Sequence, residues 1–259
     1  VPVIVFIIVM ITILFGYLIA RITLIPARNS LNAQKQFIGN IAHELRTPLS
    51  IIKTNVEVAL LKNNLDSKYI NKMLNSNVEE LDRISDTINN LVSFNTLVRP
   101  EKIKFEKVDL KRVVDFISGK LSDLIDNKKL TLTITNTGAN TIYGRTVAVE
   151  QIVMNLLKNS INYTSSGGKI NIYIQKDEQD FVELRVEDSG IGIAKGDLFH
   201  VFEPFYRVDL SRTRGHGGSG LGLAIVNELL KIHNGNIHIS SALKQRTNVT
   251  VSFPPHTEI

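Results

Sequence analysis

The first 20 residues of the chain contain no charged side chain, whereas charged and apolar positions interleave from there to the end. An apolar run of that length, wound as a helix, covers about 30 Å, the thickness of a bilayer hydrocarbon core. Residues 1–20 are therefore predicted to form a transmembrane helix. A buried core helix would carry a polar face, and this segment has none. A signal peptide would carry a basic stretch before it and a small-residue cleavage site after it, and both are missing. Arg21, Arg28 and Lys35 follow closely, which puts the C-terminal bulk on the cytoplasmic side. The chain opens on Val rather than Met, which implies a missing upstream portion.

Residues 21–36 form a short connector in which Pro26 is expected to interrupt the helix. From there the pattern is helical. Ile38, Ile41, Leu45, Leu49, Ile52 and Val56 fall near one line of a helical wheel. This helix should run to about residue 61, with a kink at Pro48. The polar stretch KNNLDS at 62–67 predicts a turn with Asp66 or Ser67 as cap. A second helix over 67–98 places Ile70, Met73, Leu81, Ile84, Ile88 and Leu91 at helical spacing, interrupted by the polar Asn77. Together the two helices carry more apolar stripe than one hairpin can cover. Two hairpins paired in a dimeric four-helix bundle would bury it; the competing arrangement packs the hairpin on its own C-terminal domain.

After a hinge at 99–102, residues 103–255 turn to mixed strand and helix, with a tail at 256–259. Strands are predicted at 103–108, 130–135, 169–175, 181–187, 236–241 and 247–253. Helices are predicted from the Asp109 cap to about residue 126, over 146–163, and over 221–233 before Asn234-Gly235. The expected fold is a two-layer α/β sandwich, a mixed sheet covered by helices on one face.

Composition narrows the chemistry. The chain has no cysteine, which excludes disulfides, thiolate catalysis and cysteine-ligated metal. Its net charge of +5 is spread out, with no aromatic-studded basic stripe, so nucleic acid is not an expected partner.

Candidate chemistry begins at residues 37–50, FIGNIAHELRTPLS. His43 lies about 160 degrees around the wheel from the apolar line, with Thr47 one turn on and Glu44 beside it. An imidazole held in water next to a carboxylate can act as a nucleophile, although a lone exposed histidine is usually only a surface residue. Three further motifs supply a partner for it. EQIVMNLLKNSINYT spaces Asn155, Asn159 and Tyr163 four residues apart on one helical stripe, where a carboxamide oxygen can coordinate Mg²⁺ without adding negative charge. VEDSGIGI ends a strand with Asp188, an acceptor for an amino proton, and follows it with Gly190 and Gly192, which allow close backbone approach. GGSGLGLAIV sets Gly218, Gly220, Leu221 and Gly222 at a helix start, where amide N–H groups receive phosphate oxygens.

HELRTPL, the three boxes in this order and FEPFYR between the last two resemble the membrane sensor histidine kinases of two-component systems over about residues 26–254. The resemblance implies a HisKA-type phosphoacceptor hairpin at 37–98 and a gyrase-type ATP-binding domain at 103–255. It implies His43 as the phosphorylated residue, Glu44 as its acid/base and Thr47 as a residue that positions water in dephosphorylation. Asn159 would be the principal Mg²⁺ ligand, with Asn155 nearby, and Asp188 would bind the adenine amino group. Gly218, Gly220 and Gly222 would border the phosphates of ATP. Phe202 and Phe205 would anchor a lid, from which Arg207, Arg212 or Arg214 could approach them. The implied protein is a homodimer embedded in the cell membrane, with its catalytic portion cytoplasmic and a cognate response regulator as partner.

Three positions depart from the family pattern. Asn162 stands where Lys or Arg is usual near the phosphates, Ala42 replaces the usual Ser before the histidine, and Arg145 stands where an Asp often begins the helix. Two other readings share parts of this pattern. A gyrase- or chaperone-type ATPase clamp would need a water-activating Glu four residues before the magnesium asparagine, where this chain has Asn155. A non-catalytic membrane regulator would lack catalytic positions, and each of those is filled.

Overall fold

In the computed structural model of the protein, residues 2–61, 66–97, 105–138, 140–208 and 219–255 are described; of 26, 27, 29, 30, 33, 34 and 93–97 only the helical backbone is. The chain divides into two compact units, Val1–Leu81 and Asp82–Ile259. The expected hinge at 99–102 lies outside the described residues.

The first unit holds helix α1, Pro2–Leu61, and the start of helix α2, Ser67–Leu97. The part of α1 over Pro2–Ile25 is long and apolar enough to cross a membrane, and none of it is buried in the protein. Helix α1 runs on through Pro48 and is unbroken at Pro26, where an interruption was expected. A proline deletes one backbone hydrogen bond, and a helix of this length keeps many others on either side of the gap. The hairpin turns two kinds of face. Met73 and Glu80 on α2 and Pro48 on α1 are buried. Between them Asn55 Nδ2 donates to Asn77 Oδ1 at 2.7 Å, so the polar residue that broke the predicted stripe pairs across the hairpin. A second, apolar face stays uncovered within one chain: Ile38, Leu49 and Val56 on α1, and Ile70, Leu74 and Leu81 on α2, are all exposed.

The second unit contains the end of α2 and an α/β sandwich. Strand β1, Glu106–Asp109, leads through the Asp109 cap, whose carboxylate accepts from Arg112 N–H at 3.0 Å, into helix α3, Leu110–Lys120. The expected single helix to about residue 126 is two, because the backbone leaves helical geometry at Leu121 before helix α4, Ser122–Asn127. Gly119 lowers helix propensity at that joint, and the turn buries Leu121. Strand β2, Thr131–Asn136, is followed by a strand that sequence periodicity does not reveal, β3, Thr141–Gly144, antiparallel to β1. Helix α5, Thr146–Tyr163, strands β4, Lys169–Lys176, and β5, Val182–Asp188, helix α6, Gly222–Ile232, and strands β6, Asn236–Ser241, and β7, Thr247–Phe253, complete it.

Among the described residues the main sheet runs in the order β2-β4-β5-β7-β6, parallel between β2 and β4 and antiparallel elsewhere. Alternation decides its two faces. Ile170, Ile172, Leu184, Val186, Val249 and Val251 are buried, while residues of opposite parity, such as Tyr173 and Arg185, stay partly exposed with the guanidinium over the ring at 4.3 Å. Helix α5 packs between α3 and α6 and against β5.

Arg145 caps α5 without a side-chain hydrogen bond, in keeping with the loss of the usual Asp. The fold compensates from a distance. Arg145 N–H donates to His233 Nε2 at 3.1 Å, and His233 Nδ1 donates to Leu229 O at 2.7 Å, so this buried imidazole joins the start of α5 to the end of α6. Burial lowers the His233 pKa, which favours the neutral form this pairing needs.

Candidate functional site

The amphipathic period that buries one side of α1 carries His43 to the other, and the residue is exposed. Thr47, also exposed, donates its hydroxyl to the His43 carbonyl oxygen at 3.3 Å, and Glu44 is half-buried between the two faces. Pro48 has no N–H, so the carbonyl of Glu44, four residues back, gets no intrahelical partner. The backbone beside the histidine is thus held partly by the Thr47 side chain.

In the second unit, parity places Asp188. As the last residue of β5 it shares a face with Leu184 and Val186, so its carboxylate turns into the helix-covered side. There Oδ2 accepts from Ser160 Oγ of α5 at 3.2 Å and Oδ1 accepts from Gly190 N–H at 3.0 Å. Burial raises the Asp188 pKa against the lowering effect of these two bonds. The loop after it bends sharply: Gly192 has φ +70, and a Cβ there would lie 2.0 Å from the Ala242 carbonyl oxygen. Ile191 N–H donates to the Tyr163 carbonyl at 3.2 Å, which ties this loop to the end of α5. Tyr163 follows the stripe of Asn155 and Asn159 as expected.

The asparagines face the start of α6. A Cβ built on Gly222 would stand 3.6 Å from both the Oδ1 and Nδ2 of Asn159 and 3.7 Å from Asn155 Oδ1, so a gap about one methyl wide separates the N-terminal turn of α6 from both carboxamides. Asn155 is 7 % exposed, and its Nδ2 has no hydrogen-bond partner within the protein. A buried donor without an acceptor is costly, of order 1–3 kcal/mol, and is relieved by a ligand that accepts there. Before α6, Gly220 has φ +71 and lies so close to Phe205 that a Cβ would come within 2.7 Å of its carbonyl carbon. Phe205, itself at φ +68, donates its N–H to the Gly220 carbonyl at 2.9 Å. FEPFYR is thereby stitched to the glycine box. Phe202 and Arg207 sit half-buried in the same segment, and Leu221 is fully buried behind it. Gly218, with Arg212 and Arg214, lies outside the described residues.

The structure thus brings Asn155, Asn159, Gly222 and Gly220 together and, further along α5, Tyr163, Asp188, Gly190 and Gly192. It adds residues that the sequence reading missed. Ser160 belongs to the asparagine box and could have been found from its position one residue after Asn159. Thr247 is opposite Asp188 on β7, a pairing fixed only by strand order. Lys128 has no sequence signal; its ammonium donates to the carbonyls of Ile161, Asn162 and Thr164 at 2.7, 3.0 and 3.3 Å and closes the C-terminal end of α5.

Comparison with known proteins identifies the family. The model of the His Kinase A (phospho-acceptor) domain matches residues 33–98, and that of the histidine kinase-, DNA gyrase B- and HSP90-like ATPases matches 144–257. The chain is 32% identical over 238 residues to the sensor histidine kinase RppB of Synechocystis sp., covering 91% of this chain and 52% of that protein. It is 31% identical over 236 residues to the sensor histidine kinase WalK of Bacillus subtilis, covering 85% and 36%. It spans about half the length of RppB, and less of WalK. Among solved structures, the histidine kinase AdeS of Acinetobacter baumannii superposes with TM-score 0.65 at 25% identity, covering 83% of this chain and 98% of that one. The histidine kinase ThkA, solved in complex with the response regulator TrrA, has the same fold at TM-score 0.71 and 20% identity, covering 88% and 64%. With an exposed histidine on a helical hairpin, asparagine, aspartate and glycine boxes gathered around α5, and these relatives, the chain belongs to the sensor histidine kinases.

Proposed function

We propose that the protein is an ATP-dependent protein-histidine kinase that phosphorylates itself on His43 and passes the phosphoryl group to an aspartate of a cognate response regulator. The observation that carries this reading is the gap at Gly222, walled by both asparagine carboxamides at a helix N-terminus, together with the unpaired buried Nδ2 of Asn155. Amide N–H groups and the helix dipole there attract a polyanion. At the other end, Asp188 offers a buried carboxylate to the exocyclic amino group of adenine, steadied by Ser160 and Gly190.

The residues also fit a divalent cation. Asn159 would hold Mg²⁺ through a neutral carboxamide oxygen, and the ion would neutralise charge on the transferring phosphoryl group. The rest falls to the chain itself. The imidazole of His43 attacks the γ-phosphorus, an N–P bond forms as the bond to the β-bridging oxygen breaks, and ADP leaves with that electron pair. Glu44 takes the imidazole proton. Asn155 stands where a hydrolytic clamp would need a carboxylate to activate water, so transfer to imidazole is favoured.

The uncovered apolar stripes of α1 and α2 support a homodimer through a four-helix bundle. The apolar segment Pro2–Ile25, followed by Arg28 and Lys35, supports a membrane anchor with the catalytic part in the cytoplasm. Incubating the chain with γ-labelled ATP and Mg²⁺ tests the central claim. Acid-labile, base-stable label that disappears in His43→Gln is expected; label that persists in that variant overturns the assignment.

A further inference from the structure

We infer that Lys158 supplies the phosphate-facing positive charge that Asn162 does not, and that Asp86 on α2 holds it in the nucleotide-free chain, so that ATP and Asp86 compete for one ammonium group. The inference rests on the ATP-binding reading above.

Its basis is a pair of contacts made by one turn of α2. Lys158 Nζ lies 3.1 Å from Asp86 Oδ2, and Asn90 Nδ2 lies 3.5 Å from Ser219 Oγ. Asp86 and Asn90 are four residues apart and so lie on one face about 6 Å from each other. Their partners must therefore be neighbours too. Ser219 is three residues before Gly222, in the glycine box at the N-terminus of α6, so Lys158 lies beside that box. The sequence of α5 agrees: Lys158 stands three residues after Asn155, one helical turn on, and the carboxamide oxygen of Asn155 borders the Gly222 gap. Independently, Asn155, whose Oδ1 borders that gap, leaves its buried Nδ2 without a partner, so the same carboxamide has a donor to give.

A second basic group close to α5 is already committed. Lys128 gives its ammonium to three carbonyls at the far end of the helix. Lys158 is held by less. Its side chain is 38% exposed and that of Asp86 63%, and an ion pair so open to water contributes little. A triphosphate carries several charges against the single charge of the carboxylate, and the flexible lysine stem allows the ammonium to swing from one to the other. When it swings, α2 loses a polar contact with this edge. Nucleotide occupancy is thereby reported to the helix that follows the phosphoacceptor in the hairpin.

The test is equilibrium displacement of a fluorescent ATP analogue from the full chain in detergent micelles with Mg²⁺, using ATP and adenosine as competitors. Lys158→Gln should weaken ATP about tenfold, the loss expected for a charged hydrogen bond, while adenosine, which has no phosphate, binds as in the parent. Asp86→Asn should tighten ATP about two- to fivefold by freeing the lysine, again without moving adenosine, and this gain should vanish in the double variant. Unchanged adenosine affinity also shows that each variant is folded. An ATP affinity within twofold of the parent in Lys158→Gln overturns the inference and leaves the kinase reading standing, as does a gain from Asp86→Asn that persists without Lys158. A parent chain that binds adenosine but not ATP, or neither, overturns both.

Discussion

Replacing Gly222 with alanine separates stability from function in one atom. The new Cβ would sit 3.6 to 3.7 Å from the carboxamides of Asn159 and Asn155, ordinary van der Waals contact, and Gly222 has no positive φ. Nothing among the described residues resists it. As the first residue of α6 it should gain helix propensity, from a few tenths up to about 1 kcal/mol. At about 2–4 °C per kcal/mol for a unit of this size, the melting temperature without nucleotide rises by up to roughly 4 °C. The methyl nevertheless fills the gap that phosphate and metal would enter. Ligand present at 100 times its Kd stabilises by about 2.7 kcal/mol; if the methyl weakens binding tenfold, the same concentration gives about 1.4 kcal/mol. Thermal unfolding of the full chain in micelles, with and without Mg²⁺ and ATP, should thus show a higher starting point and about half the nucleotide-induced rise. Gly220→Ala is the control with the opposite sign. Its φ of +71 and the 2.7 Å approach of its Cβ to Phe205 should cost more than about 1 kcal/mol before any ligand is added. A Gly222→Ala variant with the full nucleotide-induced rise would refute the placement of the phosphates.

Asp188→Asn keeps the shape of the buried group, since its amide can donate to Ser160 Oγ while its oxygen accepts from Gly190 N–H; stability at neutral pH should stay within about 1 kcal/mol of the parent while ATP affinity, measured by titration calorimetry, falls about 10- to 100-fold. His233 has its pKa lowered by burial, so the unfolded chain takes up its proton first: stability should decline as pH falls below about 6.5, by up to about 1.36 kcal/mol per pH unit, until the folded imidazole also protonates. Chemical denaturation across pH 5–8 reads this slope, which His233→Gln should flatten; an unchanged slope would remove the histidine from the link between α5 and α6. Asn55→Leu alone strands the carboxamide of Asn77 and should cost about 1–3 kcal/mol, whereas Asn55→Leu with Asn77→Leu should recover most of it. A double variant less stable than the single one, by the same denaturation assay, would show that the pair stabilises rather than specifies the hairpin.

What could be seen in the sequence was what repeats or punctuates. Helix α5 was delimited to the residue because its apolar period is long, and β6 was found because Asn234-Gly235 ends the helix before it. Strand β3 escaped because four residues with one buried side chain, Ile142, carry no measurable period. The break at Leu121 escaped because the apolar spacing continues across it while the backbone does not. The site divides in the same way. Asparagine and glycine boxes are local in sequence and announced their chemistry, whereas the contacts of Ser160 with Asp188, Asp86 with Lys158, and His233 with Arg145 join segments 28, 72 and 88 residues apart. No local pattern encodes such pairings; they follow from strand order and helix packing. Proline was the misleading signal, since its local cost says nothing of how much helix surrounds it.

The unbroken course of α1 has a geometric corollary. Eighteen steps separate Ile25, at the end of the apolar stretch, from His43. At about 100 degrees per step they complete about five full turns, so the two residues share one azimuth. A shaft that conserves angular phase delivers a twist applied at one end undiminished to the other. The stretch between the apolar segment and the histidine need recognise nothing itself: its length, counted in whole turns, is the information it carries.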